Sequence, residues 1–179
     1  MSSSNNFHHC KNLSDSGKTV VAVADVALTS LDALLGRYGL ELRVQAEDET
    51  ITGSYWGECE AGIVGRVVFV RNDTPIHSLL HEACHVICMT SERREQLETD
   101  AGGDDLEESA VCYLQVILAD ELPGVGQTRL MHDMNAWGYS FRLGDTTSWF
   151  ERDAEDARKW LIKYGLLSAN GSPTFNLRD

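Results

Sequence analysis

Residues 74–89 constrain this chain most, because they combine strong helix signals with ionisable residues set inside an apolar pattern. Thr74 is a favourable helix N-cap, and Pro75 suits the first helical position. Apolar residues then recur at helical spacing along one broad face: Ile76, Leu79, Leu80, Ala83, Val86, Ile87 and Met89. The pattern predicts a largely buried helix, so the polar residues that it carries need partners.

An HExxH motif, formed by His81, Glu82 and His85, lies inside this helix. Residues four apart lie one helical turn apart on the same side, so the two imidazoles can bind one metal ion. Glu82 lies beside them, where a carboxylate can take a proton from a zinc-bound water. Apolar residues flank His81 and His85 in the sequence, so these histidines are not expected on a solvent-exposed helix face. The motif therefore predicts a zinc site that needs one more protein ligand, with a metal-free buried histidine pair as the alternative.

The third ligand is expected from the next predicted helix, residues 106–120, which begins with two glutamates. A helical wheel places Glu107 on the apolar side, where a carboxylate is costly unless it is paired or binds a metal. Glu108 falls on the more polar side with Cys112 and Gln115. We predict Glu107 as the third ligand and retain Glu108 as the alternative, because the phase of a helix is uncertain at its start.

The remaining pattern predicts an α+β fold: a small twisted sheet, the motif-bearing helix and a helical C-terminal part. We expect further helices over residues 20–38, 106–120, 128–137 and 147–164, and strands over residues 40–44 and 63–70. The Ser- and Asn-rich residues 1–18 predict a disordered tail, which leaves residues 19–179 as a single domain.

Charge and hydropathy exclude several classes of protein. The chain has 28 acidic and 15 basic residues, a net charge of −13, which disfavours binding to nucleic acid phosphates. Its apolar runs are far shorter than the ~20 residues of a membrane span, and the first residues lack a secretory signal. Five cysteines without a CxxC pair favour a reducing compartment over a disulfide framework. We therefore predict a cytoplasmic protein; the sequence leaves its oligomeric state open.

The HExxH helix, the strand before it and the glutamate on the following helix resemble the zincin metallopeptidases. A helical glutamate as third ligand is similar to the gluzincin branch, and the small size is distantly similar to ImmA/IrrE-type metallopeptidases. The resemblance covers about residues 63–118. It implies a zincin-like fold, with His81 and His85 as zinc ligands and Glu82 as the general base of peptide-bond hydrolysis. It also implies that the strand before the motif pairs with an extended substrate.

Peptide hydrolysis also needs a donor for the developing oxyanion. We predict His132 as this catalytic donor, with Tyr139 as the alternative, because both lie in an otherwise unexplained segment, residues 131–141. His77 lies one turn before His81 and is interpreted as a polar residue of the helix N-terminus, or less readily as a substrate or ligand-supporting residue. A last group predicts either a cleft wall or a hairpin tip: Trp56, Glu58 and Glu60.

The leading hypothesis is a zinc-dependent hydrolase, most directly a metallopeptidase whose partner is a peptide or protein substrate. The eight acidic and two basic residues between Glu92 and Glu108 favour a neutral or basic peptide. Two alternatives remain: a regulatory or interaction protein with a structural zinc site, and a hydrolase of a non-peptide amide. Glu82 favours chemistry, because a purely structural site has no need of it.

Overall fold

The computed structural model of the chain describes residues 20–57, 59–98 and 100–179. The predicted tail, residues 1–18, and the candidate wall residue Glu58 lie outside these ranges. Within them the protein is a mixed α+β structure of seven α-helices and a three-stranded sheet, which confirms the predicted class at that level.

In the described ranges one α-helix precedes the three strands, and the other helices follow them. The strands are β1 (Glu41–Val44), β2 (Gly62–Val64) and β3 (Val67–Val70). The helices are α1 (Leu28–Arg37), α2 (Ile76–Cys88), α3 (Ser91–Glu95), α4 (Asp105–Leu118), α5 (Gly126–Trp137), α6 (Thr146–Arg152) and α7 (Glu155–Lys163). A short 3-10 turn, Val23–Asp25, precedes α1. One hydrophobic cluster joins α1, the sheet and the C-terminal helices, and α2 and α4 cross its centre.

The sheet has the order β1-β3-β2, with β3 parallel to β1 and antiparallel to β2. The single strand expected over residues 63–70 is wrong: the segment is a hairpin that turns at Gly65, whose φ of +59° favours glycine. Because β3 is hydrogen-bonded on both sides, it offers no free edge to a substrate. The edge strands of this sheet are β1 and β2, and β2 is the one that directly precedes β3 in the sequence.

Helix α2 is buried along most of its length, as its apolar pattern predicts. Its N-cap is Pro75, and the expected cap Thr74 has another role: its hydroxyl accepts a hydrogen bond from the backbone N–H of Arg71, at 2.9 Å, and closes the preceding turn. Ser78, in the first turn, accepts from the N–H of Ala61 at 2.9 Å. This contact fixes the loop before β2 against the start of α2.

Helix α4 packs along α2 and begins with a well-formed cap. The Asp104 carboxylate accepts hydrogen bonds from the backbone N–H groups of Leu106 and Glu107, which satisfies two otherwise unpaired donors. The cap fixes the first turn, and with it the directions in which Glu107 and Glu108 leave the helix. The connection between α2 and α4 contains the short helix α3.

Other differences from the sequence prediction lie at the two ends of the chain. The helix expected over residues 20–38 is the 3-10 turn followed by α1, and the helix expected over residues 147–164 is divided into α6 and α7. None of the helices in the described ranges is long and apolar enough to cross a lipid bilayer. Cys84, Cys88 and Cys112 carry free thiols, whereas Cys59 is disulfide-bonded, which the prediction of a reducing compartment does not explain.

Candidate metal centre

The two motif histidines converge on one point beside α2. Their Nε2 atoms lie 3.1 Å apart, and their ring planes stand at 89° to each other. Two nitrogens bound to one tetrahedral zinc, each at 2.0–2.1 Å, are separated by roughly 3.3 Å. Burial lowers the pKa of both His81 and His85, so both rings are neutral near pH 7 and can offer a lone pair. At this distance one Nε2 carries a hydrogen and donates it to the other, so the pair has the spacing of two metal ligands, and binding of an ion would displace that hydrogen.

Gln115, on α4, fixes the His81 ring. The Nδ1–H of His81 donates to the Gln115 Oε1 at 2.7 Å, and the Gln115 amide nitrogen reaches the His77 carbonyl at 3.5 Å. A carbonyl oxygen only accepts, so Nδ1 carries the hydrogen and Nε2 keeps its lone pair. The Nδ1 of His85, by contrast, is buried with no hydrogen-bond partner in the described part of the chain. Gln115 therefore orients one ring of the pair.

Glu108 supplies the carboxylate nearest to the histidines. Its Oε2 lies 3.6 Å from the Nε2 of His85, and its Oε1 accepts from the Gly103 N–H at 3.1 Å. One ligand atom from each of His81, His85 and Glu108 lies within 4.8 Å of the other two. Burial raises the pKa of Glu108 above its ordinary value, and neighbouring acids add to that rise. These three residues form the group that could hold a metal ion.

Glu107, the predicted third ligand, lies in a different environment. Its side chain is 6% exposed, and both oxygens accept from the Nη1 of Arg93, at 2.7 and 2.9 Å. Oε2 also accepts from the Nη1 of Arg178 at 3.1 Å. A carboxylate on the apolar side of α4 does need a partner, as the sequence indicates, but that partner is a pair of arginines. The structure thus brings Glu108, not Glu107, to the histidines.

Glu82 follows His81 on α2 and is half-buried. Burial, together with the smaller effects of the Glu60, Glu108 and Asp100 charges, raises the pKa of Glu82 to about 8. A bound dication would lower the pKa of Glu82, because a nearby positive charge favours the ionised carboxylate. Glu82 is therefore a group whose proton affinity depends on the occupancy of the neighbouring site.

An aromatic wall closes one side of the group. The Tyr139 ring centre lies 6.0 Å from that of His81, and the Tyr139 hydroxyl lies 3.3 Å from the Nδ1 of His77. The His77 ring lies 5.0 Å from that of Trp137, whose indole N–H donates to a Glu60 oxygen at 2.8 Å. His77 is thus a buried member of this wall rather than an exposed polar residue of the helix start.

Two other predicted residues lie at the surface. The His132 side chain is 69% exposed, and its contact is with Asp133 at 3.3 Å. Within the described ranges no hydrogen bond or ring contact joins His132 to the motif histidines, so Tyr139 is the oxyanion-donor candidate that lies at the site. Trp56 is about half exposed and packs edge-on against Tyr55, and Glu60 is tied to the aromatic wall by the indole N–H of Trp137.

Three comparisons with known proteins give no match for this chain: a scan against family models, a search of curated proteins and a search of solved structures. The site must therefore be interpreted from its own geometry. The residue that the sequence prediction missed is Gln115. A signal for it exists, because Glu108, Cys112 and Gln115 recur at helical spacing as a polar stripe on α4.

Proposed function

We propose that this protein is a zinc-dependent hydrolase acting on peptide bonds, with His81, His85 and Glu108 as its metal ligands. The observation that carries the proposal is the convergence of two imidazole nitrogens and a carboxylate beside the half-buried Glu82. A structural zinc site takes four protein ligands, whereas a catalytic site takes three and keeps one position open. The three ligands that converge in the described ranges support the catalytic alternative.

The side chains around the site have distinct tasks in this proposal. Zinc, when bound, lowers the pKa of a coordinated water to about 7. The Glu82 carboxylate accepts a proton from water and delivers it to the leaving amine. Gln115 holds the His81 ring in the tautomer that presents Nε2. The Tyr139 hydroxyl, in place of the predicted His132, donates to the oxygen on which negative charge develops.

Metal analysis of purified variants tests the assignment of the ligands. We expect one zinc per chain in the wild type and in Glu82→Gln, and loss of zinc in His81→Ala and Glu108→Gln. Glu151→Gln, an exposed glutamate on α6, is the matched control and keeps its zinc. Full occupancy in His81→Ala would remove the site from consideration.

Hydrolysis of a peptide pool, followed by mass spectrometry, tests the chemistry separately. We expect turnover in the wild type, none in Glu82→Gln, and a loss of 10²–10³-fold in kcat for Tyr139→Phe, typical of removing one oxyanion donor. Zinc binding without hydrolysis of any peptide or amide would instead support the regulatory alternative with a structural metal.

A further inference from the structure

We propose that Arg93 and Arg178 are positioning residues for the third metal ligand: they lock Glu107, and the locked first turn of α4 holds Glu108 at the histidines. The inference rests on the proposed metal site, but the residues that carry it lie outside the ligand set. We call Arg93, Glu107 and Arg178 the arginine clamp.

Arg93 ties α4 to the loop that precedes it. From α3, its Nη1 donates to both oxygens of Glu107, at 2.7 and 2.9 Å. Its Nη2 donates to the carbonyls of Ala101 and Gly102, at 3.2 and 2.9 Å. Only a planar guanidinium presents donors in a fork that can satisfy a carboxylate and two carbonyls together. One side chain therefore fixes the loop at residues 101–102 relative to the first turn of α4.

The same loop holds the candidate ligand. Gly103 follows directly, and its N–H donates to the Oε1 of Glu108 at 3.1 Å. Gly103 also lies tightly against the clamp, because a Cβ at this position would be 2.5 Å from the Glu107 carboxyl carbon. With Oε1 held by the loop, Oε2 is the oxygen that lies 3.6 Å from His85. The clamp is thus connected to the ligand geometry through one backbone hydrogen bond.

Arg178 connects the clamp to the helix that bears the histidines. Its Nη1 donates to Glu107 at 3.1 Å and to the Cys88 carbonyl, at the end of α2, at 3.2 Å. Its backbone N–H donates to the Ile87 carbonyl at 3.0 Å, and its guanidinium lies 4.1 Å from the centre of the Tyr164 ring. Glu107 therefore joins α4 to the C-terminal end of α2. The two helices that supply the metal ligands are held together at this point.

Zinc affinity of charge-removing variants tests the proposal. Arg93→Met and Arg178→Met should bind zinc 10- to 100-fold more weakly than wild type in competition with a chromophoric chelator, the range found for residues that support metal ligands. Arg129→Met is the matched control, because it breaks a comparable arginine pair with the buried Asp133, on α5, at 2.8 Å. Its zinc affinity should equal that of wild type.

A spectroscopic measurement separates positioning from general loss of stability. Cobalt(II) bound at saturation should give a visible spectrum that differs between wild type and the two clamp variants, and that is unchanged in Arg129→Met. Arg93→Lys keeps the positive charge beside Glu107 and should therefore fold like the wild type. A single ammonium cannot bond to the Glu107 carboxylate and to both loop carbonyls at once, so the zinc affinity of this variant should fall about 3- to 10-fold.

The outcomes are distinguishable. Wild-type affinity and a wild-type cobalt spectrum in both methionine variants and in Arg93→Lys would overturn the clamp's positioning role while leaving the metal site intact. A wild type whose zinc content does not depend on His81 and Glu108 would overturn the proposed function itself, and the positioning role with it.

Discussion

Glu107 and Glu108 are neighbours in the first turn of one helix, yet they lie in opposite environments. Glu107 is 6% exposed and accepts from two arginines, whereas the Glu108 side chain is 38% exposed and faces a histidine. A buried carboxylate with complete charge compensation is a structural element. A carboxylate that lies near two imidazole nitrogens can hold a metal ion together with them. The comparison teaches that burial alone does not identify a metal ligand; the partners that are already present decide.

The largest expected effect is on stability, and it separates the two glutamates. Glu107→Gln weakens the charge-assisted hydrogen bonds from Arg93 and Arg178 to a buried group, which costs about 1.5–3 kcal/mol in the free energy of unfolding. Glu108→Gln should change the unfolding free energy of the metal-free protein by less than about 1 kcal/mol, because its side chain is partly exposed. Chemical denaturation in the presence of a chelator measures both values. Equal losses would abolish the distinction between the two environments.

The next effect concerns Gln115, which orients the ring of His81 at the candidate metal site. Gln115→Leu removes the acceptor for the Nδ1–H of His81, so the zinc affinity should fall about 10- to 100-fold. Gln127→Leu is the control, because the Gln127 amide bonds to Asp120 and contacts none of the candidate ligands. Chelator competition measures both variants, and an unchanged affinity in Gln115→Leu would mean that His81 needs no such support.

The two glutamates also mark how far the sequence could predict this site. Helical spacing and the HExxH motif place His81, Glu82 and His85 on one helix, because those relations are local. The wheel correctly gives Glu107 a buried environment. It gives no information about Arg178, whose contact with Glu107 spans 71 positions of the chain. Long-range contacts of this kind decide which carboxylate is paired with arginine and which remains near the histidines.

The sheet shows the same limit in another form. The apolar run at residues 63–70 predicts extended backbone, and the backbone is extended on both sides of the turn at residues 65–66. Whether such a run forms one strand or a hairpin depends on Gly65, and on β1 arriving from elsewhere to pair with β3. The predicted substrate-pairing strand thus becomes the central strand, a result of topology that residue types alone do not encode.

A smaller effect is expected from acid, and it arises at His77, in the aromatic wall beside the candidate ligands. Burial, with a contribution from His81, lowers the pKa of His77 to about 3. An unfolded histidine titrates near 6.5, so the unfolded state binds more protons below that pH, and stability is lost as the pH falls from 6.5 towards 3. Between pH 7 and 5 this residue should cost about 2 kcal/mol in the free energy of unfolding.

His77→Phe isolates that contribution. The variant removes the titrating group, so its unfolding free energy in chelator should depend less on pH than that of wild type, by about 2 kcal/mol between pH 7 and 5. His132→Phe is the matched control, because the His132 side chain is exposed, and it should keep the wild-type pH dependence. Identical pH profiles for wild type and His77→Phe would show that folding does not lower the pKa of His77.

The smallest effect is expected at His132, and it tests whether the site ends at the aromatic wall. Its contact, Asp133, is already satisfied, because that carboxylate accepts from the Val21 N–H at 2.7 Å and from Arg129 at 2.8 Å. His132→Ala should therefore change zinc affinity and peptide hydrolysis less than twofold, and stability by no more than about 0.5 kcal/mol. A large loss of kcat with intact zinc binding would return His132 to the catalytic role that the sequence suggests. It would also require α5 to move towards α2 when substrate binds, because 69% of the His132 side chain now faces solvent.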